Sequence, residues 1–136
     1  MLKRKVYQEL LKWKENTEGK ALCIIGARQI GKTTLIREFG KNEYEHFAEI
    51  NFVTDEKAAD IFNDKLTAEA IITNLTAYLQ TPLEPGKTLI LFDEVQECPA
   101  VRSAIKFLVE DGRFDYIESG SLLGVRYKEV RSYPVG

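Results

Sequence analysis

A glycine-rich stretch of nine residues constrains the fold of this chain more than any other part of the sequence. It reads Gly26-Ala27-Arg28-Gln29-Ile30-Gly31-Lys32-Thr33-Thr34 and fits the phosphate-binding pattern G-x-x-x-x-G-K-[ST]. A continuously apolar run at 21–25 precedes it, and a run with helical character follows over 33–39, up to Gly40. A strand, a glycine loop and a helix in this order direct backbone N–H groups and the positive end of a helix dipole at phosphates. The stretch therefore predicts a nucleotide-phosphate site at a strand-to-helix turn.

Individual residues of this loop have expected roles. Gly26 and Gly31 allow backbone angles and close approaches that a side chain would block. Lys32 is expected to reach the β- and γ-phosphates, and the Thr33 hydroxyl is expected to bind Mg²⁺. The other residues expected to bind the nucleotide are Ala27, Arg28, Gln29, Ile30 and Thr34.

A second motif, at residues 89–94, places two carboxylates at the end of an apolar strand. Asp93 is expected to contribute to the coordination shell of Mg²⁺, on the side opposite Thr33. Glu94 is expected to act in catalysis by polarising the water that attacks the γ-phosphate. A glutamate beside the aspartate favours hydrolysis over small-molecule kinase chemistry. The guanine-specificity tetrapeptide N-K-x-D is absent, which favours ATP over GTP.

A third motif, Ser119-Gly120-Ser121, follows the predicted fourth strand. A small polar side chain at this position could contact the γ-phosphate or the attacking water, although Ser-Gly-Ser is also a common loop sequence. The sequence leaves open whether Ser119 or Ser121 would have this role.

Strands and helices alternate along the chain. Apolar runs predict strands at 21–25, 47–52, 88–92 and 114–118, and helical periodicity predicts helices at 2–16, 33–39, 67–80 and 99–111, with a shorter helix from an N-cap at Thr54 to Phe62. This alternation predicts an α/β fold with three αβα layers and a mostly parallel sheet. Because each motif follows a strand, we expect the three motifs to meet at the carboxyl edge of that sheet.

The composition and net charge of the chain argue against some classes of binding partner. The chain has 136 residues, a net charge of −2 and a pI of about 5.5, which give no overall electrostatic case for nucleic acid. The basic face of the helix at 2–16 is expected to be solvated, in preference to a contact with nucleic acid or anionic lipid. No stretch reads as a membrane span or a signal-peptide core. Cys23 and Cys98 are expected to be buried free thiols, as in the cytoplasm, where we expect the protein to reside.

Three further polar residues lie outside these motifs. His46, the single histidine, is expected at the surface or at a strand edge, and its surroundings in the sequence support neither a metal site nor a catalytic triad. Arg126 and Arg131 are candidates for an arginine that reaches a nucleotide, but a surface role is preferred for both.

These motifs together resemble a known family. The segments 26–33, 36–39, 92–99 and 119–124 are similar to those of prokaryotic AAA-type ATPases whose chains pair an AAA domain with a C-terminal DUF4143 region. The resemblance implies an additional-strand P-loop NTPase fold with sheet order 5-1-4-3-2. It implies ATP and Mg²⁺ at Lys32, Thr33 and Asp93, catalysis by Glu94, and γ-phosphate sensing within 119–121.

The chain is shorter than members of that family, so we expect an N-terminal fragment. We expect an amphipathic helix and linker at 1–20 and a partial AAA-like core at 21–136, truncated after the fourth strand. The edge of the strand at 21–25 would then be open, which favours self-association or coverage by the tail or by the N-terminal helix. Weak nucleotide binding and slow turnover would follow from a missing lid.

The leading interpretation is an ATP-binding, Mg²⁺-dependent ATP-hydrolysing AAA-like module with an undefined cellular task. One alternative is a nucleotide-dependent binding switch with little hydrolysis. Another is a DNA-associated ATPase whose DNA-binding part lies outside these residues. The sequence leaves the partner and the oligomeric state open.

Overall fold

One five-stranded sheet organises this computed structural model, which describes residues 2–16, 20–26, 31–121 and 129–132. The helices are α1 (Leu2–Asn16), α2 (Lys32–Glu43), α3 (Ala68–Leu79) and α4 (Pro99–Asp111), with 3-10 helices at Glu56–Phe62 and Val95–Glu97. The strands are β1 (Ala21–Gly26), β2 (His46–Asn51), β3 (Thr88–Asp93), β4 (Asp115–Ser121) and β5 (Glu129–Ser132). None of the described helices is both long and apolar enough to cross a membrane.

The order of the strands is β2-β3-β4-β1-β5. The first four in this order are parallel to their neighbours, whereas β5 is antiparallel to β1. Parallel strands covered on both faces need apolar side chains on both, and all six residues of β3 are buried. The predicted α/β fold with αβα layers is confirmed, and the strand order is the one that the family resemblance implied.

Two apolar cores lie on opposite faces of the sheet. The core beneath α1 and α2 contains Leu10, Trp13, Leu22, Ile24, Ile36, Phe39, Leu89, Leu91 and Ile117. The core beneath α3, α4 and the 3-10 helix Glu56–Phe62 contains Ile90, Phe92, Tyr116 and the apolar residues of those helices. Odd-numbered residues of β3 and β4 therefore face α2, and even-numbered residues face α4. Cys23 and Cys98 are buried, as predicted.

Three local predictions are corrected by the structure. α2 does not stop at Gly40 but continues to Glu43. Gly40 lies inside the helix, where its lack of a side chain leaves room for the Phe47 ring. The N-cap of the 3-10 helix Glu56–Phe62 is Asp55 and not Thr54, since Asp55 Oδ1 accepts a hydrogen bond from Lys57 N at 3.0 Å. Residues 119–121 lie within β4 and do not form a loop after it.

The edge of β1 is covered. β5 pairs with β1 from Leu22↔Ser132 to Ile25↔Glu129. The sheet therefore does not end at its fourth strand, contrary to our expectation, and the edge of β1 that we expected to be open carries a tail segment. Of the alternatives considered for this edge, coverage by the tail is the one observed.

Candidate functional site

The carboxyl edge of the parallel sheet brings the sequence motifs together. β1 ends at Gly26, β3 at Asp93 and β4 at Ser121. In the register of the sheet, Asp93 lies beside Ser119 and Gly26 lies beside Ser121. Ligands of open α/β sheets bind outside this edge, so its polar side chains form the candidate site.

The glycine loop reaches the site at the start of α2. Gly31 precedes the helix with φ 97°, a left-handed backbone conformation that glycine adopts without strain. Lys32, Thr33 and Thr34 form the first turn of α2, where backbone N–H groups have no partner within the helix. Four predicted loop residues, Ala27, Arg28, Gln29 and Ile30, lie outside the described residues.

The Lys32 side chain crosses from α2 to β4. Its Nζ donates a hydrogen bond to the carbonyl oxygen of Gly120 at 2.9 Å. This contact holds the ammonium group at the carboxyl edge of the sheet. A phosphate bound at the N-terminus of α2 would offer the ammonium a charged acceptor in place of a neutral carbonyl.

Thr33 and Asp93 approach each other across the gap between α2 and β3. Thr33 Oγ1 donates to Asp93 Oδ2 at 3.4 Å. Asp93 is only 4% exposed. Burial raises the pKa of the Asp93 carboxyl, the charges of Glu94 and Glu49 raise it further, and the Glu94 backbone N–H and the Lys32 ammonium oppose the rise.

These groups suit a divalent cation. A hydroxyl and a carboxylate are hard oxygen donors, which Mg²⁺ prefers. A buried carboxylate with two other carboxylates nearby would also be stabilised by a cation, because the ion's charge reverses the electrostatic balance of the site. Thr33 and Asp93 are therefore the residues that fit Mg²⁺ here.

Glu94 follows Asp93 in a strained backbone conformation. Its φ of 57° and ψ of 48° are left-handed, which a residue with a side chain rarely adopts. Its backbone N–H donates to Asp93 Oδ1 at 2.9 Å. Its Oε1 accepts a hydrogen bond from Gln96 Nε2 at 2.8 Å. Gln96 lies within the segment 92–99 that carries the family resemblance, but the sequence alone assigns it no role.

Ser119 and Ser121 differ in how the structure describes them. The Ser119 side chain is fully buried, and its Oγ has no hydrogen-bond partner among the described residues. It lies directly beside Asp93 in the sheet register, with odd-numbered residues facing α2. For Ser121 only the backbone is described, as the last residue of β4. The register therefore favours Ser119 as the serine next to the predicted metal ligand.

Two residues at the end of β2 also belong to this edge, although the sequence analysis missed them. Asn51 lies beside Asp93 in the register, and its Oδ1 accepts hydrogen bonds from Val53 N and Thr54 N. Glu49 accepts two hydrogen bonds from Arg37, at 2.6 and 2.8 Å. The alternation of apolar and polar residues along β2 was the signal that could have placed both.

The remaining candidates lie elsewhere or outside the description. His46 begins β2 at the opposite edge of the sheet, where its Nε2 lies 2.5 Å from Glu84 Oε1. Arg126 lies outside the described residues. Arg131 pairs with Cys23 through the backbone of β5.

Comparison with known proteins identifies the family. A search of curated proteins found no match. A model described as "AAA domain" matches residues 18–136, which is most of the chain. The protein therefore belongs to the AAA domain family, a group of nucleotide-binding, ATPase-like modules.

Proposed function

We propose that this protein binds ATP with Mg²⁺ and hydrolyses it to ADP and inorganic phosphate. The observation that carries the proposal is the contact between Thr33 Oγ1 and Asp93 Oδ2, with Glu94 as the next residue. A structural turn has no need for a buried carboxylate beside a hydroxyl and further carboxylates. A Mg²⁺–nucleotide site does, since its two metal ligands and its base must converge.

In this mechanism each side chain has one task. Lys32 leaves the Gly120 carbonyl and binds the β- and γ-phosphates, and Thr33 and Asp93 hold Mg²⁺. When bound there, Mg²⁺ would supply positive charge against the charge that develops on the phosphate oxygens. Glu94 accepts a proton from water as the water oxygen bonds to the γ-phosphorus. The bond from the γ-phosphorus to the bridging oxygen then breaks, and ADP leaves with the electron pair.

The other predicted site residues support binding and sensing. Gly26, Ala27, Arg28, Gln29, Ile30, Gly31 and Thr34 would line the phosphates with the loop. Ser119 would contact the γ-phosphate or the attacking water, in preference to Ser121. The buried oxygen of Ser119 next to Asp93 supports this choice.

The finer identity is also a proposal. The motif pattern supports a prokaryotic ATPase that carries a C-terminal DUF4143 region beyond these residues. The two buried cysteines support a cytoplasmic location. Of the alternatives, a DNA-associated role would require binding that weakens steeply with salt.

Two measurements test the proposal. A fluorescent ATP analogue with Mg²⁺ should bind saturably to the wild-type chain, and Lys32→Ala should lose this binding. Phosphate release should fall by about 10²- to 10⁴-fold in Glu94→Gln while the nucleotide still binds. Glu97→Gln is the matched control, because Glu97 is an exposed carboxylate in the same turn and should leave turnover unchanged. Equal turnover in wild type and Glu94→Gln would favour the binding switch with little hydrolysis.

A further inference from the structure

The side chain of Gln96 connects two parts of the candidate site. It projects from the 3-10 helix Val95–Glu97, which follows β3 directly. Its Nε2 donates to Glu94 Oε1 at 2.8 Å. An ionised carboxylate only accepts hydrogen bonds, so the nitrogen end of the Gln96 amide must face Glu94. The chemistry of Glu94 therefore fixes the orientation of the Gln96 amide.

The other end of the amide is directed at Gly120 of β4. A Cβ atom at position 120 would lie 2.5 Å from Gln96 Oε1, closer than two such atoms approach in proteins. Gln96 can occupy this position only because residue 120 has no side chain. The carbonyl oxygen of the same glycine accepts the hydrogen bond from Lys32 Nζ. Gly120 thus contacts both the phosphate-binding lysine and the support of the predicted base.

This arrangement is unfavourable for folding in two respects. Gln96 Oε1 is buried and has no hydrogen-bond partner among the described residues. A buried carbonyl oxygen without a partner reduces stability, because it loses its hydrogen bonds to water. Glu94 also adopts a left-handed backbone conformation. Such features persist mainly where a functional geometry requires them.

We propose that Gln96 is a positioning residue for Glu94 and that Gly120 is the glycine which makes room for it. The inference rests on the proposed function, in which Glu94 is the base. Gln96 does not touch the nucleotide. It holds one oxygen of the Glu94 carboxylate, so that the carboxylate keeps one orientation towards the attacking water. The backbone of Glu94 is fixed independently, through its N–H bond to Asp93.

The first test is Gln96→Met. Methionine has a similar length but lacks both the donor to Glu94 and the unpartnered oxygen. We expect kcat to fall by about 10- to 100-fold, the usual effect of removing a partner that orients a site residue. The KM for ATP, and nucleotide affinity measured in a Glu94→Gln background, should stay within about twofold, because no contact with the nucleotide is lost. The thermal midpoint should stay the same or rise, because a buried unpartnered oxygen has been removed.

The second test uses the close contact at Gly120. Gly120→Ala should lower kcat as Gln96→Met does, since the new methyl group displaces the Gln96 amide. In a Gln96→Ala background the same substitution should have no further effect, because the space beside residue 120 is then empty. Additive effects of Gly120→Ala and Gln96→Ala would overturn the steric link.

The outcomes separate this inference from the proposed function. No turnover by the wild-type chain, or normal turnover in Glu94→Gln, would overturn both. Turnover lost in Glu94→Gln but unchanged or increased in Gln96→Met would overturn the positioning role alone. A fall in the thermal midpoint of Gln96→Met, together with a raised KM, would show a structural role and would equally overturn it.

Discussion

The two edges of the parallel sheet differ in the charges that surround their buried ionisable groups. At the amino edge, where β1 and β4 begin, Lys20 is 3% exposed and its Nζ donates to the Lys14 carbonyl at 2.7 Å. Tyr44 donates its hydroxyl to Asp115 Oδ2 at 2.5 Å. Burial lowers the pKa of Lys20, the charge of Asp115 opposes this fall, and the charge of Lys14 adds to it. Opposite charges therefore lie near each other at this edge.

At the carboxyl edge, like charges lie near each other. The buried Asp93 has Glu94 as its neighbour in sequence, and the charge of Glu49 also raises its pKa. Two buried oxygens at this edge, Gln96 Oε1 and Ser119 Oγ, have no hydrogen-bond partner among the described residues. Other such polar atoms include Trp13 Nε1 and Tyr116 Oη, which belong to large rings whose apolar surface favours burial.

The difference suggests a hypothesis: the buried polar groups of the amino edge stabilise the fold, and those of the carboxyl edge serve the proposed ligand. Opposite charges that lie near each other, such as Lys20 and Asp115, stabilise each other without any further component. Crowded carboxylates reduce stability until a cation binds beside them, and a phosphate oxygen would accept a hydrogen bond from the Ser119 hydroxyl. We therefore expect substitutions at the amino edge to lower stability without changing binding, and substitutions at the carboxyl edge to weaken binding without lowering stability.

Asp93→Asn, at the carboxyl edge, should have the largest effect on nucleotide affinity. An asparagine can still accept the Glu94 N–H bond through Oδ1, but it removes the buried negative charge. We expect Mg²⁺-dependent nucleotide affinity to fall by about 10- to 100-fold. The free energy of unfolding without ligand should rise, on the order of 1 kcal/mol. Calorimetric titration and urea unfolding measure the two quantities, and a loss of stability would contradict the comparison.

Tyr44→Phe tests the amino edge. It removes the hydroxyl that binds Asp115 and leaves the ring in place, next to Phe39. A hydrogen bond to a charged group contributes about 1.5 to 3 kcal/mol, so we expect a loss of stability of this size in urea unfolding. Nucleotide affinity should stay within twofold of wild type. A clear loss of affinity in a variant that remains folded would show that the two edges are coupled.

The lowered pKa of Lys20 predicts the direction in which the free energy of unfolding changes with pH. Its pKa in the folded protein lies below the unfolded value of 10.5, so the unfolded chain binds more protons between the two values. Stability should therefore rise with pH through that window. The free energy of unfolding, measured from pH 7 to 10 in wild type and Lys20→Met, should rise more steeply in wild type. Equal slopes would show that Lys20 keeps its ordinary pKa in the fold.

The sequence predicted the layers of this fold well because periodicity and glycine placement carry that information. β3 is a continuous apolar run ending in Asp93, and α4 begins at the proline expected for a first turn. It was harder to predict which of two neighbouring residues caps a helix. Thr54 and Asp55 are both good N-caps, and Asp55 has the role in the structure, where it also accepts a hydrogen bond from Tyr78. The Tyr78 contact joins residues far apart in sequence, so no local pattern encodes it.

The positions of the main candidate-site residues could also be predicted from the sequence. Lys32, Thr33, Asp93 and Glu94 follow from motif chemistry, and the register adds the choice of Ser119. The role proposed for Gln96 depends on the side chain that position 120 lacks, and the two positions lie on different strand ends. Such a contact across the sheet could be recognised only once the structure had placed the two residues together.

Glu49→Gln should have the smallest effect and would sharpen the comparison most. Glu49 is partly exposed and bonded to Arg37, so the change should alter stability by less than about 1 kcal/mol. Its charge nevertheless acts on Asp93, and removing it makes the carboxyl edge less negative. We expect Mg²⁺-dependent affinity to fall about twofold to fivefold at low ionic strength and less at high salt, where screening weakens the interaction. Glu45→Gln, at the opposite edge of the sheet, is the matched control. Equal losses in both variants would mean that overall charge, and not the arrangement of carboxylates around Asp93, attracts the cation.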